Sequence, residues 1–326
     1  MPDRPRRVSD GAVRALGLLL GVAADAVLGD PRRGHPVAGF GRLAGWLERT
    51  LWAPSRPRGA GYLAIAVGVP VAVGVLGERA TRRSPAARLA ATAVATWSVL
   101  GGRSLAREAS AMARLLEDGD LPGARRRLSH LAGRDPSALD LAGLARASVE
   151  SVAENTSDAV VAPLLWGAAA GLPGLLGYRA ANTLDAMVGH RNPRHERFGW
   201  AAARLDDAAN LVPARVTALL AAALAPLVDG RPDVAWRTWR RDAGRHPSPN
   251  AGPVEAAFAG ALGVRLGGTN VYSGRVEHRG TLGDGPAADV PDLARAVRLA
   301  AAVGIATTVA AAALAVAVTR GAGGAR

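Results

Sequence analysis

Acidic and amide side chains gather at the edge of an apolar segment in this sequence. Glu150, Glu154 and Asp158 recur every fourth residue in VESVAENTSDAVV, with Asn155 among them. In a helix the three carboxylates would share one face, where like charges at this spacing repel by about 0.2–0.5 kcal/mol per pair. An uncharged stretch begins at Ala159, and unpaired carboxylates are costly near lipid. We therefore expect a cation or an arginine partner, and carboxylate oxygens suit Mg²⁺ bound to phosphates.

A second polar group borders the next apolar segments. Asn182 and Asp185 are three residues apart, and Asp206 and Asn210 are four apart, so each pair shares a helix face. Ionisable residues at membrane depth are functional candidates, although a structural network of Arg and Asp is an alternative. Arginine also binds phosphate oxygens in a bidentate way. The group comprises Asn182, Asp185, Arg204, Asp206, Asp207, Asn210 and Arg215.

Two histidines lie in proline-rich turns. His35 follows Asp30 in GDPRRGHPV, and His246 precedes Asn250 in RHPSPN. The first stretch is also compatible with a simple helix stop, and a single histidine is more often structural than catalytic. Either imidazole is nevertheless a candidate general base. The sequence does not choose between them.

The elements that carry these residues are mostly apolar. The chain has 326 residues, of which 49% are hydrophobic, and the runs are long enough to approach the roughly 20 residues that cross a bilayer. Alternating charged and apolar residues at Ser104–Glu117 and Leu121–Leu131 predict an amphipathic helical hairpin. No stretch has a convincing strand pattern. We predict a mostly α, polytopic integral membrane protein with one membrane-embedded catalytic domain over 1–326. Its apolar segments are 11–29, 59–77, 86–101, 159–178, 211–228 and 299–318, and its Gly/Pro-rich polar loops are 103–158, 179–210 and 229–298.

Composition excludes several classes of mechanism. The chain contains no Lys, which removes Schiff-base chemistry and the lysine-dependent phosphate loop. It contains no Cys, so thiolate metal sites and disulfides are also excluded. The net charge of +13 comes from arginines spread over every loop, with only 4% aromatic residues. This distribution favours lipid headgroups or phosphate-bearing substrates over nucleic acid.

In order, these motifs resemble the adenosylcobinamide-phosphate synthase family, the CobD/CbiB proteins of cobalamin synthesis. The matching pieces are GDPRRGHPV, ESVAENTSD, NTLDAMVGHRN, FGWAAARLDDAAN with VPARVTA, and RDAGRHPSPNAG with GALGVRLGG, over roughly residues 20–285. Ala159 stands where the family usually has Gly, and His190 where Tyr is typical, but no carboxylate or amide of the motifs is lost.

The resemblance implies an ATP- and Mg²⁺-dependent ligation of an aminopropanol phosphate to a carboxylate of adenosylcobyric acid. It also implies a multi-pass protein of the cell membrane, with an active site facing cytoplasmic ATP, and allows a complex with other cobalamin-pathway enzymes. We expect catalytic roles for Glu150, Glu154, Asp158, Asp206, Asp207 and His246. Mg²⁺ would bind Glu154, Asp158 and Asp207, and the substrates would bind Asp30, His35, Asn155, Asn182, Asp185, Arg204, Asn210, Arg215 and Asn250.

That reaction constrains the segment 159–178. A straight spanning helix would put the acidic groups at its two ends on opposite sides of the membrane. Pro163, Pro173 and Gly174 instead predict a broken or re-entrant segment, which is tolerated where protein surrounds it. The alternative function is an ion-coupled transporter, because broken segments with buried carboxylates also occur in carriers.

Overall fold

A computed structural model describes residues 9–31, 34–129, 136–137, 139–190, 192–272 and 275–323. This part of the chain is mostly helical, as predicted. Its helices are α1 (Asp10–Leu28), α2 (Pro36–Leu51), α3 (Arg56–Thr81), α4 (Pro85–Val99), α5 (Gly102–Glu117), α6 (Leu121–Leu128), α7 (Leu141–Thr156), α8 (Ala162–Leu184), α9 (Trp200–Ala223), α10 (Pro232–Asp242), α11 (Ala251–Leu262) and α12 (Val290–Gly323). The strands are β1 (Leu266–Tyr272) and β2 (Arg275–Leu282).

Four helical stretches in the described ranges are long and apolar enough to cross a membrane: Asp10–Leu28, Arg56–Thr81, Leu141–Gly189 and Val290–Thr319. They include four of the six predicted apolar segments, which confirms a polytopic membrane protein. The segment 86–101 forms α4, whose 15 residues are fewer than a bilayer core needs. The segment 211–228 includes the second half of α9, a helix that also carries Arg204, Asp206, Asp207 and Arg215 and is therefore less apolar.

The chain divides into two compact units, and the first comprises Met1–Leu100, Ala162–Ala208 and Thr307–Arg326. Within it, α1 packs closely on α4 through small residues. A Cβ atom on Gly17 would lie 2.6 Å from Cβ of Thr92, and one on Gly21 would lie 2.4 Å from Cβ of Thr96. Glycines four residues apart allow such close helix contact in membranes, where packing rather than water drives association.

Helix α8 reverses direction at Gly171, where φ is 64° and ψ is −142°. A Cβ atom on Gly174 would lie 2.2 Å from the carbonyl oxygen of Trp166, although eight residues of straight helix rise about 12 Å. The backbone amide of Leu172 donates to Oε1 of Glu78 on α3 at 3.2 Å, so α3 holds the reversal in place. The predicted break in the segment 159–178 is therefore confirmed, and it falls at Gly171.

The second unit comprises Gly101–Val161 and Ala209–Ala306. Helices α5 and α6 form the predicted amphipathic hairpin, and its buried side includes Met112, Leu116 and Leu128. Helix α11 is buried along almost its whole length. It packs tightly on α10, because a Cβ atom on Gly260 would lie 2.7 Å from Cα of Ala235.

The absence of strands was a wrong prediction. Strands β1 and β2 pair antiparallel, with Leu266 opposite Leu282 and a shift in register between Gly267 and Gly268. Both glycines have positive φ, at 79° and 92°, and such bulges let the backbone approach other groups closely. The polar stretch 229–298 is therefore not one loop. It contains α10, α11 and this hairpin.

Candidate functional site

Three side chains in the second unit form a buried acidic cluster: Glu154 on α7, His246 before α11, and Glu255 on α11. Their potential ligand atoms all lie within 4.8 Å of one another. Glu255 and the imidazole of His246 are almost fully buried, whereas the side chain of Glu154 is 33% exposed. Glu154 is therefore the member that a ligand in solution can reach. Nη1 of Arg279 lies 4.0 Å from Oε1 of Glu154, at the edge of ion-pair distance.

The orientation of the His246 ring decides what its nitrogens can do. Nδ1 accepts a hydrogen bond from the backbone amide of Ser248 at 3.0 Å. A neutral imidazole that accepts at Nδ1 carries its proton on Nε2. Nε2 faces Oε1 of Glu255 at 3.6 Å, which is longer than a hydrogen bond but close enough for electrostatic attraction. In this arrangement His246 orients a carboxylate and presents no unprotonated nitrogen to it.

The environment of Glu255 favours its protonated form. Burial is the main cause that raises its pKa well above the ordinary value. The charges of Glu154 and Glu150, and a hydrogen bond with Glu154, raise the pKa further, while Arg279 lowers it. Buried carboxyl groups that face other carboxylates behave in this way because two negative charges are costly together in a low dielectric.

Glu150, predicted as catalytic, lies in a structural contact beside this cluster. Its side chain is buried, and Oε1 accepts a hydrogen bond from the amide of Gly267 at 2.7 Å. Arg146, one turn earlier, donates to the carbonyl oxygen of Gly267 at 2.6 Å. Together they bind both backbone groups of the β1 bulge. The catalytic role of Glu150 stays a prediction. In this structure its carboxylate accepts a hydrogen bond from the backbone of the β1 bulge.

The end of the acidic helix departs from regular α geometry. Asp158 lies in a π-helical turn, Ser157–Val161, that continues α7. Asn155 donates from Nδ2 to the carbonyl oxygen of Ser151 at 2.9 Å, so its amide folds back on its own helix.

Predicted residues of the first unit meet where α8 and α9 pack. Asn182 donates from Nδ2 to Oδ1 of Asp206 at 3.3 Å. Asp185 begins a second π-helical turn, Asp185–Gly189, and is repelled by the charge of Asp207. Arg204 is exposed. Helices α8 and α9 therefore bring a predicted amide against a predicted carboxylate, through the contact between Asn182 and Asp206.

Four other predicted site residues form two contacts, one in each unit. In the first unit, Nε2 of His35 lies 3.4 Å from Oδ1 of Asp30. In the second, Nη1 of Arg215 donates to Oδ1 of Asn250 at 2.9 Å, just before α11 begins. Asn210, one turn before Arg215 on α9, is buried.

The buried acidic cluster fits the Mg²⁺ that the resemblance implies, through its oxygens. Oε1 of Glu255 is buried and accepts no hydrogen bond within the described residues. Together with the carboxylate of Glu154 it offers the oxygen ligands that Mg²⁺ prefers. His246 does not add a nitrogen ligand, since Nε2 carries the proton. The predicted ligands Asp158 and Asp207 stay predictions, and Asp207 belongs to the first unit.

Three residues in or beside this cluster had no predicted role: Glu255, Arg279 and Arg146. Glu255 has a sequence signal, because it is the single charged residue in the apolar helix AGPVEAAFAGAL. A charge in a fully buried helix needs a partner. Arg146 and Arg279 have no such signal, since arginine is common throughout the chain.

Comparison with known proteins identifies the family of the chain. The family model described as CobD/Cbib protein matches residues 18–300. The chain belongs to the CobD/CbiB family. It is 57% identical over 288 residues to "Cobalamin biosynthesis protein CobD" of Mycobacterium tuberculosis, covering 88% of this chain and 91% of the relative. Proteins of the same name from Geobacter metallireducens and Chromobacterium violaceum are 47% and 45% identical, covering 82% and 87% of this chain and 86% and 91% of those proteins. No solved structure matches the chain.

Proposed function

We propose that this CobD/CbiB protein acts in cobalamin biosynthesis as an ATP-dependent ligase. It joins the amine of an aminopropanol, as its phosphate, to a carboxylate of adenosylcobyric acid. The supporting observation is the buried acidic cluster of Glu154, His246 and Glu255. Two of its members, Glu154 and His246, lie on the motifs that resemble the family. A carboxyl group buried against other carboxylates destabilises a fold, so a role in chemistry accounts for it better than a role in folding.

The chemistry requires an activated acid. A carboxylate is a poor electrophile, because its delocalised negative charge makes the carbon less electron-poor and because it has no good leaving group. Transfer of the γ-phosphoryl group of ATP to a carboxylate oxygen forms an acyl phosphate and releases ADP. The amine then attacks the acyl carbon, the carbon–nitrogen bond forms, and inorganic phosphate leaves. Phosphoryl transfer of this kind depends mainly on positioning and on neutralisation of charge.

The proposed roles follow from the metal ligands and hydrogen-bond donors that the side chains offer. Mg²⁺, when bound by Glu154 and Glu255, supplies positive charge to the phosphates of ATP. Arg215 and Arg279 offer guanidinium donors for phosphate oxygens, as bidentate contacts. Arg215 is held by Asn250, which limits its rotamers before a ligand arrives. Such preorganisation reduces the entropy lost on binding.

The amine must also lose a proton before it attacks. His35 and His246 are the predicted bases, yet each accepts a backbone amide at Nδ1, from Val37 and Ser248 respectively. Either ring would have to break that hydrogen bond to take a proton there. We therefore assign His246 a positioning role: it holds the carboxylate of Glu255.

The proposed location is the cell membrane, with the active site on the cytoplasmic side where ATP is present. The long apolar helices support membrane insertion. The partners in this proposal are adenosylcobyric acid, the aminopropanol phosphate and the lipid bilayer, with other cobalamin-pathway enzymes as candidates for a complex.

The test uses the purified full chain in detergent with adenosylcobyric acid, Mg-ATP and aminopropanol phosphate. Mass spectrometry should detect the amide, and ADP should form in equal amount. Glu154→Gln should lower turnover at least 100-fold, because it removes a charge at the phosphates. The matched control is Glu117→Gln, at the exposed end of α5, which should keep normal turnover. Substrate uptake by vesicles without ATP, and no amide in solution, would support the transporter instead.

A further inference from the structure

A cavity of about 330 Å³ lies in the first unit, away from every predicted site residue. Its lining includes the start of α1, the end of α3, the start of α4 and the last turns of α12. Four of its lining residues are arginines and two are carboxylates. They are Arg14, Arg79, Arg82, Arg88, Asp10 and Glu78. We call this the arginine pocket.

The arginine pocket lies at one end of the membrane helices. Arg88 at the start of α4 forms an ion pair with Asp10 at the start of α1. At the opposite end of the same two helices, Nε1 of Trp97 donates to the carbonyl oxygen of Gly29 at 3.0 Å. Asp30, His35 and the end of α8 therefore lie toward the other end of the first unit. Because α1 and α3 are long and apolar enough to cross a membrane, a pocket at their ends would lie near a lipid headgroup layer.

The arginines of the pocket differ in whether they already have a partner within the protein. Arg14 donates to the carbonyl oxygen of Ala168 at 3.2 Å and lies 3.5 Å from Glu78, so it holds the reversal of α8. Arg88 is paired with Asp10. Arg79 and Arg82 form no ion pair within the residues that the structure describes, and both are exposed. Their guanidinium groups can therefore bind a further anion.

An apolar surface leads away from this pocket along α3. Leu76, Val73 and Val69 are 60%, 55% and 53% exposed and follow one another at helical spacing. Leu76 is one turn before Arg79. An anion with a long apolar tail would satisfy both surfaces together, since basic pockets between membrane helices are suited to lipid headgroups. A free phosphate would use only the arginines.

We propose that the arginine pocket binds an anionic phospholipid, with its phosphate on Arg79 and Arg82 and an acyl chain along Val69, Val73 and Leu76. This site is separate from the proposed ligase chemistry and does not depend on it. Because Arg14 and Glu78 belong to both the pocket wall and the α8 reversal, a bound lipid would also order the region that holds α8.

Native mass spectrometry of the full chain, released from nanodiscs of phosphatidylglycerol or of phosphatidylcholine, tests the proposal. The double variant Arg79→Gln/Arg82→Gln should lose phosphatidylglycerol affinity about 10- to 30-fold, from two cationic contacts. The control Arg58→Gln/Arg83→Gln removes the same charge from exposed sites outside the pocket and should lose less than threefold. Millimolar inorganic phosphate should not displace the lipid.

Three results would overturn the proposal. Equal loss of affinity in both double variants would mean that general surface charge attracts the lipid. Equal retention of phosphatidylcholine and phosphatidylglycerol would show that the pocket does not recognise the net negative charge of the lipid. Displacement of the lipid by inorganic phosphate would indicate a site for a soluble anion. Both variants change only exposed residues, so neither should disturb the fold. A thermal unfolding temperature equal to that of the parent protein would check this.

Discussion

Replacement of Gly171 by Ala tests whether the chain reverses inside α8. The backbone at Gly171 has φ of 64° and ψ of −142°, a region that residues with a Cβ atom rarely adopt. The new Cβ would lie 1.9 Å from Oε1 of Glu78. Glu78 would have to move, and the amide of Leu172 would lose its acceptor.

The expected cost is the sum of two effects. Backbone strain in this region costs about 1–3 kcal/mol, and a buried amide without its acceptor costs about 1–3 kcal/mol. Gly171→Ala should therefore lower the free energy of unfolding by about 2–6 kcal/mol, seen as a fall in thermal stability in detergent. Gly68→Ala on α3 is the control, because its Cβ would meet no atom within 4 Å. It should be neutral or slightly stabilising.

The same measurement can refute the reversal. If Gly171→Ala unfolds at the same temperature as the parent protein, the residue is in ordinary helix and the chain continues straight. A second check uses Glu78→Gln. Because part of the cost of Gly171→Ala comes from displacing Glu78, the two substitutions together should cost less than the sum of the single ones. Full additivity would show that Glu78 does not hold the turn.

Three further predictions concern the second unit. Asp242→Asn should cost about 3–5 kcal/mol of unfolding free energy, because the buried carboxylate accepts from Arg241 and from the amide of Gly283 at 2.9 Å. The hydrogen bond from Arg241 lowers the pKa of Asp242 below 3.8. Its stabilisation is thus complete above pH 3.8, and the difference between parent and variant in thermal unfolding should shrink as the pH falls below that value. Arg215→Ala should lower kcat/KM for ATP about 10- to 100-fold in the amide assay, from loss of a charge-assisted contact. His246→Ala should weaken Mn²⁺ binding, measured by electron paramagnetic resonance, about 10- to 100-fold; unchanged binding would remove its positioning role.

Much of the membrane part of the fold could be predicted, because lipid imposes a simple rule. Long apolar runs must be helical in a bilayer, and Asp10–Leu28, Arg56–Thr81 and Val290–Thr319 follow from that rule. The break in α8 could be predicted in kind from Pro173 and Gly174. Its position could not, because it depends on Glu78, which is distant in sequence and accepts the amide of Leu172.

The β-hairpin was missed for a different reason. Short strands are recognised by alternation of apolar and polar residues, and the glycines of the hairpin interrupt that pattern. Its first strand is anchored instead by Arg146 and Glu150, about 120 residues earlier. Because those contacts join residues that are far apart in the sequence, no local spacing of residues predicts them. The same contacts show that Glu150, although it follows the four-residue spacing of the acidic residues on α7, binds the backbone of the hairpin.

The two His-Pro turns lead to one conclusion about the histidines. At each turn, Nδ1 accepts the amide two residues later, from Val37 or from Ser248. Proline between them fixes φ and has no amide to compete for that acceptor. The ring is thereby held with its proton on Nε2, and at both sites Nε2 faces a carboxylate, Asp30 or Glu255. Because the same local sequence gives the same orientation in two separate units, the His-Pro turn is a device for directing a carboxylate. A search for the base that takes the amine proton should therefore begin with carboxylates.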